Sequence, residues 1–262
     1  MPSKFKLGRQ PRSFNPAVPH LSALKQMFRP APVRIPNNVE NMQGFPPDLG
    51  VMLNDRLGDC TCAALGHAEQ IWTKDAQKVM VTVPDRCIAD AYEKACGWNG
   101  ADVGFGTDAG GNEQTVLTWW MKTGLLQADG SRRKILGFVE VDPRNIHDIC
   151  EAIYECGLVY IGFEVPANIP ETAGSLWSGR TDLGPIEGGH AVVVPGYNDP
   201  MNPIFDVESW GMDFKMDLLF WRKYVDECYA PISPLWIQAN GKSPWGLTEA
   251  TIEAQMAALR GH

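Results

Sequence analysis

The sequence lacks the features that define several large classes of protein. No apolar run among its 262 residues approaches the ~20 residues needed to cross a bilayer, so we do not expect a membrane protein. The basic N-terminus has no apolar segment behind it, so we do not expect a secretory signal peptide. Seven cysteines, an odd number without an export signal, indicate free thiols in a reducing compartment such as the cytoplasm rather than a disulfide framework.

Acidic residues are absent from residues 1–39, although the whole chain has a net charge of −8. The same segment holds seven lysines and arginines and seven prolines, which predict a basic, extended arm over residues 1–45. We expect this arm to lie across acidic surface, either on its own body or on a neighbouring subunit in a homo- or hetero-oligomer. Nucleic-acid binding is less favoured, because few aromatic side chains are interleaved for stacking on bases.

The order of the predicted elements indicates the fold class. Apolar residues recur at helical spacing from Cys60 to about Lys74, with Asp59 at the N-cap position. Further helices are predicted at 84–95, 114–122, 142–154 and 216–226, and strands at 135–141, 158–165, 190–197, 204–210 and 230–232. Helices followed by a mostly antiparallel sheet predict an α+β body over residues 46–240. Residues 241–262 are expected to add a helix that Thr248 caps and Gly261 closes.

Three short segments carry a complete acyl-transfer chemistry. They are Gly58-Asp59-Cys60 before the first body helix, Gly189-His190-Ala191 at a strand start, and Glu208-Ser209-Trp210 at the end of the next strand. A thiolate at a helix N-terminus is stabilised by the helix dipole, and an imidazolium at His190 would lower its pKa further. The N–H of Cys60 and the amide of Asn54 would hold the oxyanion, a contribution of ~3 kcal/mol.

The order of these segments resembles that of the papain-like cysteine peptidases, including bacterial and bacteriophage members. The resemblance covers roughly residues 45–235 and implies a helical half and a sheet half with the active-site cleft between them. It implies a peptide or protein substrate, no cofactor and no metal. By the same resemblance the catalytic residues are Cys60, His190, Glu208 and Asn54, and the substrate-binding residues are Gly110, Gly111, Gly189 and Trp210.

The chain departs from the family pattern at four positions. Leu57 and Thr61 replace a disulfide-bonded cysteine and a tryptophan, Asn54 replaces a glutamine, and Glu208 replaces an asparagine. A carboxylate at 208 can still orient His190. These departures keep a second hypothesis open, a non-catalytic assembly protein such as a virion component that retains the fold.

A zinc site is the remaining alternative near the nucleophile. Cys60, Cys62 and His67 lie close together in the sequence, but zinc modules space cysteines by two to four residues and supply a second pair. We therefore expect Cys62 to lie in the core and His67 to be a hydrogen-bonded interior histidine.

Overall fold

Helices form one layer of the protein. A computed structural model describes residues 5–28, 33–100, 108–241 and 243–257. The described helices are α1 (Leu21–Phe28), α2 (Cys60–Gln77), α3 (Asp85–Cys96), α4 (Glu113–Lys122), α5 (Ile146–Cys156), α6 (Leu218–Tyr224), α7 (Pro234–Asn240) and α8 (Glu249–Gln255), with a 3-10 turn at Pro244–Gly246. None of these helices is long and apolar enough to cross a bilayer.

The second layer is an eight-stranded, mostly antiparallel sheet. Its strands follow the order β4-β10-β5-β7-β8-β9-β6, with β1 paired to β7. Among the described strands only β6 and β9 pair in parallel, and β2 and β3 form a separate small ribbon. The strands are β1 (Asn38–Glu40), β2 (Leu125–Leu126), β3 (Arg132–Arg133), β4 (Gly137–Glu140), β5 (Val159–Pro166), β6 (Leu176–Trp177), β7 (Ile186–Asn198), β8 (Ile204–Ser209), β9 (Met212–Asp217) and β10 (Val225–Ile232).

Helix α2 is the buried centre of the helical layer, packed between β7 and α7. Every residue from Cys60 to Thr73 is buried, and the indole N–H of Trp72 donates to the Cys156 carbonyl at 2.9 Å. Gly66 allows Met52 to lie against the helix, since a Cβ there would be 2.3 Å from the methionine sulfur. The N-terminus of α2 is therefore held by a close-packed core.

The N-terminal arm is less extended than expected. It contains helix α1 and strand β1, and β1 pairs antiparallel with β7 from Asn38↔Asn198. The described part of the arm does lie on acidic residues of its own chain: the Lys25 ammonium contacts Asp148 at 2.7 Å and Glu151 at 2.8 Å. The prolines interrupt the segment, but pairing with β7 holds β1, and the ion pairs of Lys25 hold α1 against the body.

The predicted helix over 216–226 is shorter than expected, because strand β9 takes its beginning. Residues 212–217 alternate between the two faces of the sheet and pair along the whole of β8. The helix starts only after Asp217, whose carboxylate accepts the N–H of Phe220 at 2.7 Å. Thr248 caps α8 as predicted, by accepting the Thr251 N–H at 3.1 Å, while Gly261 lies outside the described residues.

Candidate active site

Cys60 is the first residue of α2 and is 1% exposed. The preceding turn is fixed by Asp108, which accepts the Gly58 N–H at 2.9 Å and the Tyr92 hydroxyl at 2.7 Å. Asp59 occupies the N-cap position, but its side chain makes no capping hydrogen bond. It accepts instead from the Asn54 amide at 3.2 Å, and burial raises the pKa of this carboxyl well above its usual value. The expected side-chain cap is thus absent, because the Asp59 carboxylate accepts a hydrogen bond from Asn54 instead of from the first turn of α2.

His190 lies on β7 and faces the same small cavity as Cys60. This cavity, of about 10 Å³, is also bordered by Asn54, Glu208, Ser209 and Trp210. The imidazole stacks on the Trp210 indole with centroids 4.7 Å apart, and its Nε2 lies 2.8 Å from the Ser209 hydroxyl. Its Nδ1 has no hydrogen-bond partner among the described residues. A cavity of this size is at the lower limit for one water molecule.

The side chain that hydrogen-bonds to His190 is Ser209 rather than the expected Glu208. Glu208 accepts the Gly211 N–H at 3.1 Å with one oxygen, and its other oxygen lies 3.2 Å from His67 Nδ1. The expected role of Glu208 fails in this state because the Gly211 turn and His67 hold its carboxylate away from the His190 ring. The interior position expected for His67 is confirmed by its burial and by its 3.0 Å contact with Gln70.

Burial removes charge from both members of the nucleophile–base pair. It raises the pKa of the Cys60 thiol to about 12, although N–H groups of Ala191 and Gly8 act in the opposite direction. Burial also lowers the pKa of His190 to about 3, and the nearby Arg9 charge lowers it further. In this state the pair is a neutral thiol and a neutral imidazole, not the expected thiolate and imidazolium.

Residues 5–12 of the arm, here called the cleft segment, run directly over the nucleophile. Lys6 forms two hydrogen bonds with Asn54. The Lys6 N–H donates to the backbone carbonyl of Asn54 at 2.9 Å, and the Lys6 carbonyl accepts from the side-chain amide of Asn54 at 3.2 Å. The Arg9 N–H donates to the Gly189 carbonyl at 3.1 Å. A Cβ on Gly8 would lie 1.8 Å from the Gly58 carbonyl oxygen, so only glycine fits beside Cys60.

The glycines predicted to bind substrate form the walls of this cleft. The Gly111 N–H donates to the Gly8 carbonyl at 2.8 Å, and the Gly111 carbonyl accepts the Gln10 N–H at 2.9 Å, so that Arg9 forms a parallel bridge with Gly111. Gly110 has φ +78° and would clash with Gly8 if it carried a side chain. On the far side, a Cβ on Gly189 would be 2.7 Å from the Arg9 carbonyl oxygen.

Trp210 contributes an aromatic surface to the same cleft. Its ring stacks on Phe5 of the cleft segment with centroids 4.7 Å apart and planes 8° from parallel. Trp210 therefore contacts both His190 and the cleft segment. All four predicted substrate-binding residues lie around the cleft segment.

A group of acidic residues beside the cleft is missing from the sequence prediction. The guanidinium of Arg9 enters a pocket formed by Glu113, Asp226 and Glu227. The only sequence signal was that Glu113 follows the glycine loop closely, because the other two acids are more than 200 residues from Arg9.

Cys62 is directed away from Cys60. It is fully buried, and its sulfur lies 3.9 Å from that of Cys96 at the end of α3. With Cys62 directed toward α3 and His67 toward Gln70, the three residues considered for zinc point to different partners.

Comparison with known proteins finds similar folds among solved structures. No protein-family model matches the chain, and no curated protein matches its sequence. Xylellain, a cysteine protease from Xylella fastidiosa, is 18% identical with a TM-score of 0.63, over 89% of this chain and 98% of that one. Procathepsin B S9 from Trypanosoma congolense is 11% identical with a TM-score of 0.58, over 88% and 87%.

A third solved structure is procathepsin L 3 from the larval midgut of Tenebrio molitor. It is 10% identical with a TM-score of 0.58, over 87% of this chain and 76% of that one. The likeness covers 87–89% of this chain in all three structures. The chain therefore has the α+β fold of the papain-like cysteine proteases.

Proposed function

We propose that the chain is a cysteine-dependent hydrolase of peptide or related amide bonds, with Cys60 as nucleophile and His190 as base. The observation that carries this proposal is the cleft segment, a peptide held by backbone hydrogen bonds to Asn54, Gly111 and Gly189 beside the Cys60 sulfur. A substrate peptide would use the same donors and acceptors. The cysteine proteases among the solved structures support the same chemistry.

The reaction would run as an acyl transfer through a thioester. The Cys60 proton passes to His190, and the sulfur forms a bond to the carbonyl carbon of the substrate. The Asn54 amide, which already donates to a peptide carbonyl at Lys6, and the Cys60 N–H stabilise the oxyanion. His190 returns the proton to the leaving amine. Water, deprotonated by His190, then releases the acid and restores the thiol.

The conformation with residues 5–12 in the cleft is the closed form of this proposed enzyme. The cleft segment fills the substrate path and buries both catalytic groups in neutral form. Hydrolysis therefore requires that residues 5–12 leave the cleft. Water could then reach Cys60 and His190, and the thiolate and the imidazolium would stabilise each other.

The test is to open the cleft with one methyl group. Gly8→Ala in the full chain places a Cβ against the Gly58 carbonyl and expels the cleft segment. We expect fluorescein-labelled casein to be cleaved by Gly8→Ala, and not by the double variants that add Cys60→Ser or His190→Ala. Phe14→Ala is the matched control, since Phe14 lies in the same arm and is 76% exposed.

The second candidate is a non-catalytic scaffold, favoured by the Glu208 carboxylate that does not reach His190. A scaffold would leave casein intact in Gly8→Ala, while the fold remains and the cleft segment becomes accessible to trypsin. That combination of results would replace the hydrolase proposal with this one.

A further inference from the structure

The acidic pocket beside the cleft belongs to the body of the protein, not to the arm. Glu113 lies at the start of α4, Gly162 on β5, and Asp226 and Glu227 on β10. Three separate elements thus meet around one point, and two of them supply its carboxylates. Glu113 and Glu227 have fully buried side chains, whereas Asp226 lies at the rim with its side chain 43% exposed.

The occupant of this pocket in the closed form is a guanidinium. The Arg9 side chain is 3% exposed, its Nε donates to Glu227 Oε1 at 2.8 Å, and its terminal nitrogen lies 2.7 Å from the same oxygen. Asp226 contacts that terminal nitrogen at the rim. Two guanidinium nitrogens therefore lie within 2.8 Å of one Glu227 oxygen, Nε donates to it, and the terminal nitrogen donates to Asp226. A planar guanidinium can reach both acids in this way, whereas an ammonium has a single nitrogen.

The pocket holds more carboxyl groups than Arg9 satisfies. Neither oxygen of Glu113 accepts a hydrogen bond among the described residues, and the nearest guanidinium nitrogen is 3.4 Å away. Glu227 is better satisfied, because the Tyr229 hydroxyl donates to its second oxygen at 2.8 Å. A buried carboxylate without a donor strongly disfavours an empty pocket. When the arm leaves, these acids must either take up protons or bind another cation.

The shape of the pocket also fits a guanidinium. Gly162 lies in the middle of β5, where a Cβ would be 2.2 Å from Arg9 Nε and 2.3 Å from Glu113 Oε1. A side chain in the centre of a sheet would ordinarily pack well, so the missing Cβ leaves a notch of guanidinium size in the sheet face.

The position of the pocket ties it to the nucleophile. Gly8 lies against Cys60, and Arg9 is the next residue of the same peptide. A peptide whose reactive carbonyl lies at Cys60 therefore places a neighbouring side chain at this pocket.

We infer that Glu113, Asp226 and Glu227 over Gly162 form a specificity pocket for arginine, so that the substrates are peptides with an arginine within two residues of the bond at Cys60. The substrate assignment rests on the proposed function. The guanidinium site itself does not, because binding can be measured without turnover. Arg9 then holds the arm by occupying the substrate's own recognition site.

The first experiment measures binding alone. Arg9→Ala in the full chain leaves a space of the size of ethylguanidinium. Adding ethylguanidinium to this variant should raise its melting temperature. Ethylurea, its neutral isostere, should not do so, and wild type, whose pocket is filled, should not respond to either compound. Equal shifts with ethylurea, or the same shift in wild type, would overturn the assignment. Adding Glu227→Gln should weaken ethylguanidinium binding by at least about tenfold.

The second experiment measures selectivity during hydrolysis. Gly8→Ala is given two fluorogenic peptides that differ only by arginine or citrulline near the scissile bond. We expect kcat/KM to favour arginine by at least about tenfold, and Glu113→Gln/Glu227→Gln to bring the ratio close to one. Hydrolysis without preference would overturn the specificity and leave the hydrolase proposal intact. Guanidinium binding without hydrolysis would overturn the hydrolase and leave the pocket.

Discussion

Two polar clusters lie side by side under the same eight residues, and burial acts on them in opposite ways. In the first cluster, burial raises the pKa of Cys60 and lowers that of His190, which favours the neutral form of both. At the acidic pocket, burial lowers the pKa of Arg9, but attraction to Glu113 and Glu227 outweighs it and leaves the pKa above its usual value. The cleft segment removes charge from one cluster and adds a cation to the other.

The difference follows from the chemistry of the groups. A thiol and an imidazole can give up charge by moving a proton, so a low-dielectric site makes them neutral. A guanidinium cannot be deprotonated in a protein, so it must keep its charge and be paired. The cleft segment is thus held by an obligatory ion pair at Arg9, and at the neighbouring Gly8 it excludes water from Cys60 and His190.

The largest expected effect is on stability at the charged cluster. Arg9→Ala leaves two buried carboxylates without a cation and should lower the free energy of unfolding by about 3–5 kcal/mol, measured by urea titration. The matched control is Arg56→Ala, which removes ion pairs with Asp55 and Asp85 in which every side chain is at least 44% exposed, and which should cost about 0–1 kcal/mol. Equal losses in the two variants would mean that the pocket is not desolvated.

At the neutral cluster the measurement is alkylation of Cys60. With a pKa of about 12, Cys60 in wild type should react with iodoacetamide at pH 7 no faster than other buried thiols. Gly8→Ala should raise its rate by about 100-fold or more, since exposure and an imidazolium restore the thiolate. Peptide mapping should find Cys228 unchanged in the same samples. Rapid labelling of wild type would show that the cleft segment does not seal the site.

A third prediction separates the clusters by pH. Burial raises the pKa of Glu113 and of Glu227, while Arg9 lowers both, so removing Arg9 raises both further. A carboxyl with a raised folded-state pKa binds protons more tightly when folded, so acid stabilises that state relative to the unfolded one. As the pH falls from the raised pKa toward the ordinary value of about 4.3, Arg9→Ala should regain about 1.4 kcal/mol for each pH unit and each carboxyl.

The readout of this third prediction is the stability gap between wild type and Arg9→Ala. The gap should narrow as the pH falls from 8 toward 5. Arg56→Ala, whose acidic partners are exposed, should show no comparable narrowing. A gap that is constant over this range would mean that removing Arg9 does not raise the pKa of either carboxyl further, against the burial argument.

The sequence predicted the fold and the proximity of two distant residues. Cys60 and His190 border one cavity, as the order of the motifs indicated, and α2 begins at the predicted cysteine. These predictions depend on local signals, a helix start and a strand start, and on a resemblance that determines how the two meet. Catalysis itself stays a prediction.

The sequence could not predict which of several similar groups the tertiary structure brings into contact. Glu208 and Ser209 are adjacent polar residues at a strand end, and the turn at Trp210, with φ +54°, decides which one reaches His190. Arg9 is one of seven basic residues in the arm. Only the assembled pocket of α4, β5 and β10 distinguishes it from the others.

The smallest expected effect concerns which of those two neighbours orients the base. In the Gly8→Ala background, Ser209→Ala removes the hydrogen bond to His190 Nε2 and should lower kcat/KM several-fold, in line with about 1 kcal/mol for one neutral hydrogen bond. Glu208→Gln keeps an acceptor for the Gly211 N–H and changes only the contact with His67, so it should lower kcat/KM less. The reverse order, with Glu208→Gln the more damaging, would show that the carboxylate turns to His190 once the cleft opens. The expected role of Glu208 would then apply to the open form, and Ser209 would be its partner only in the closed one.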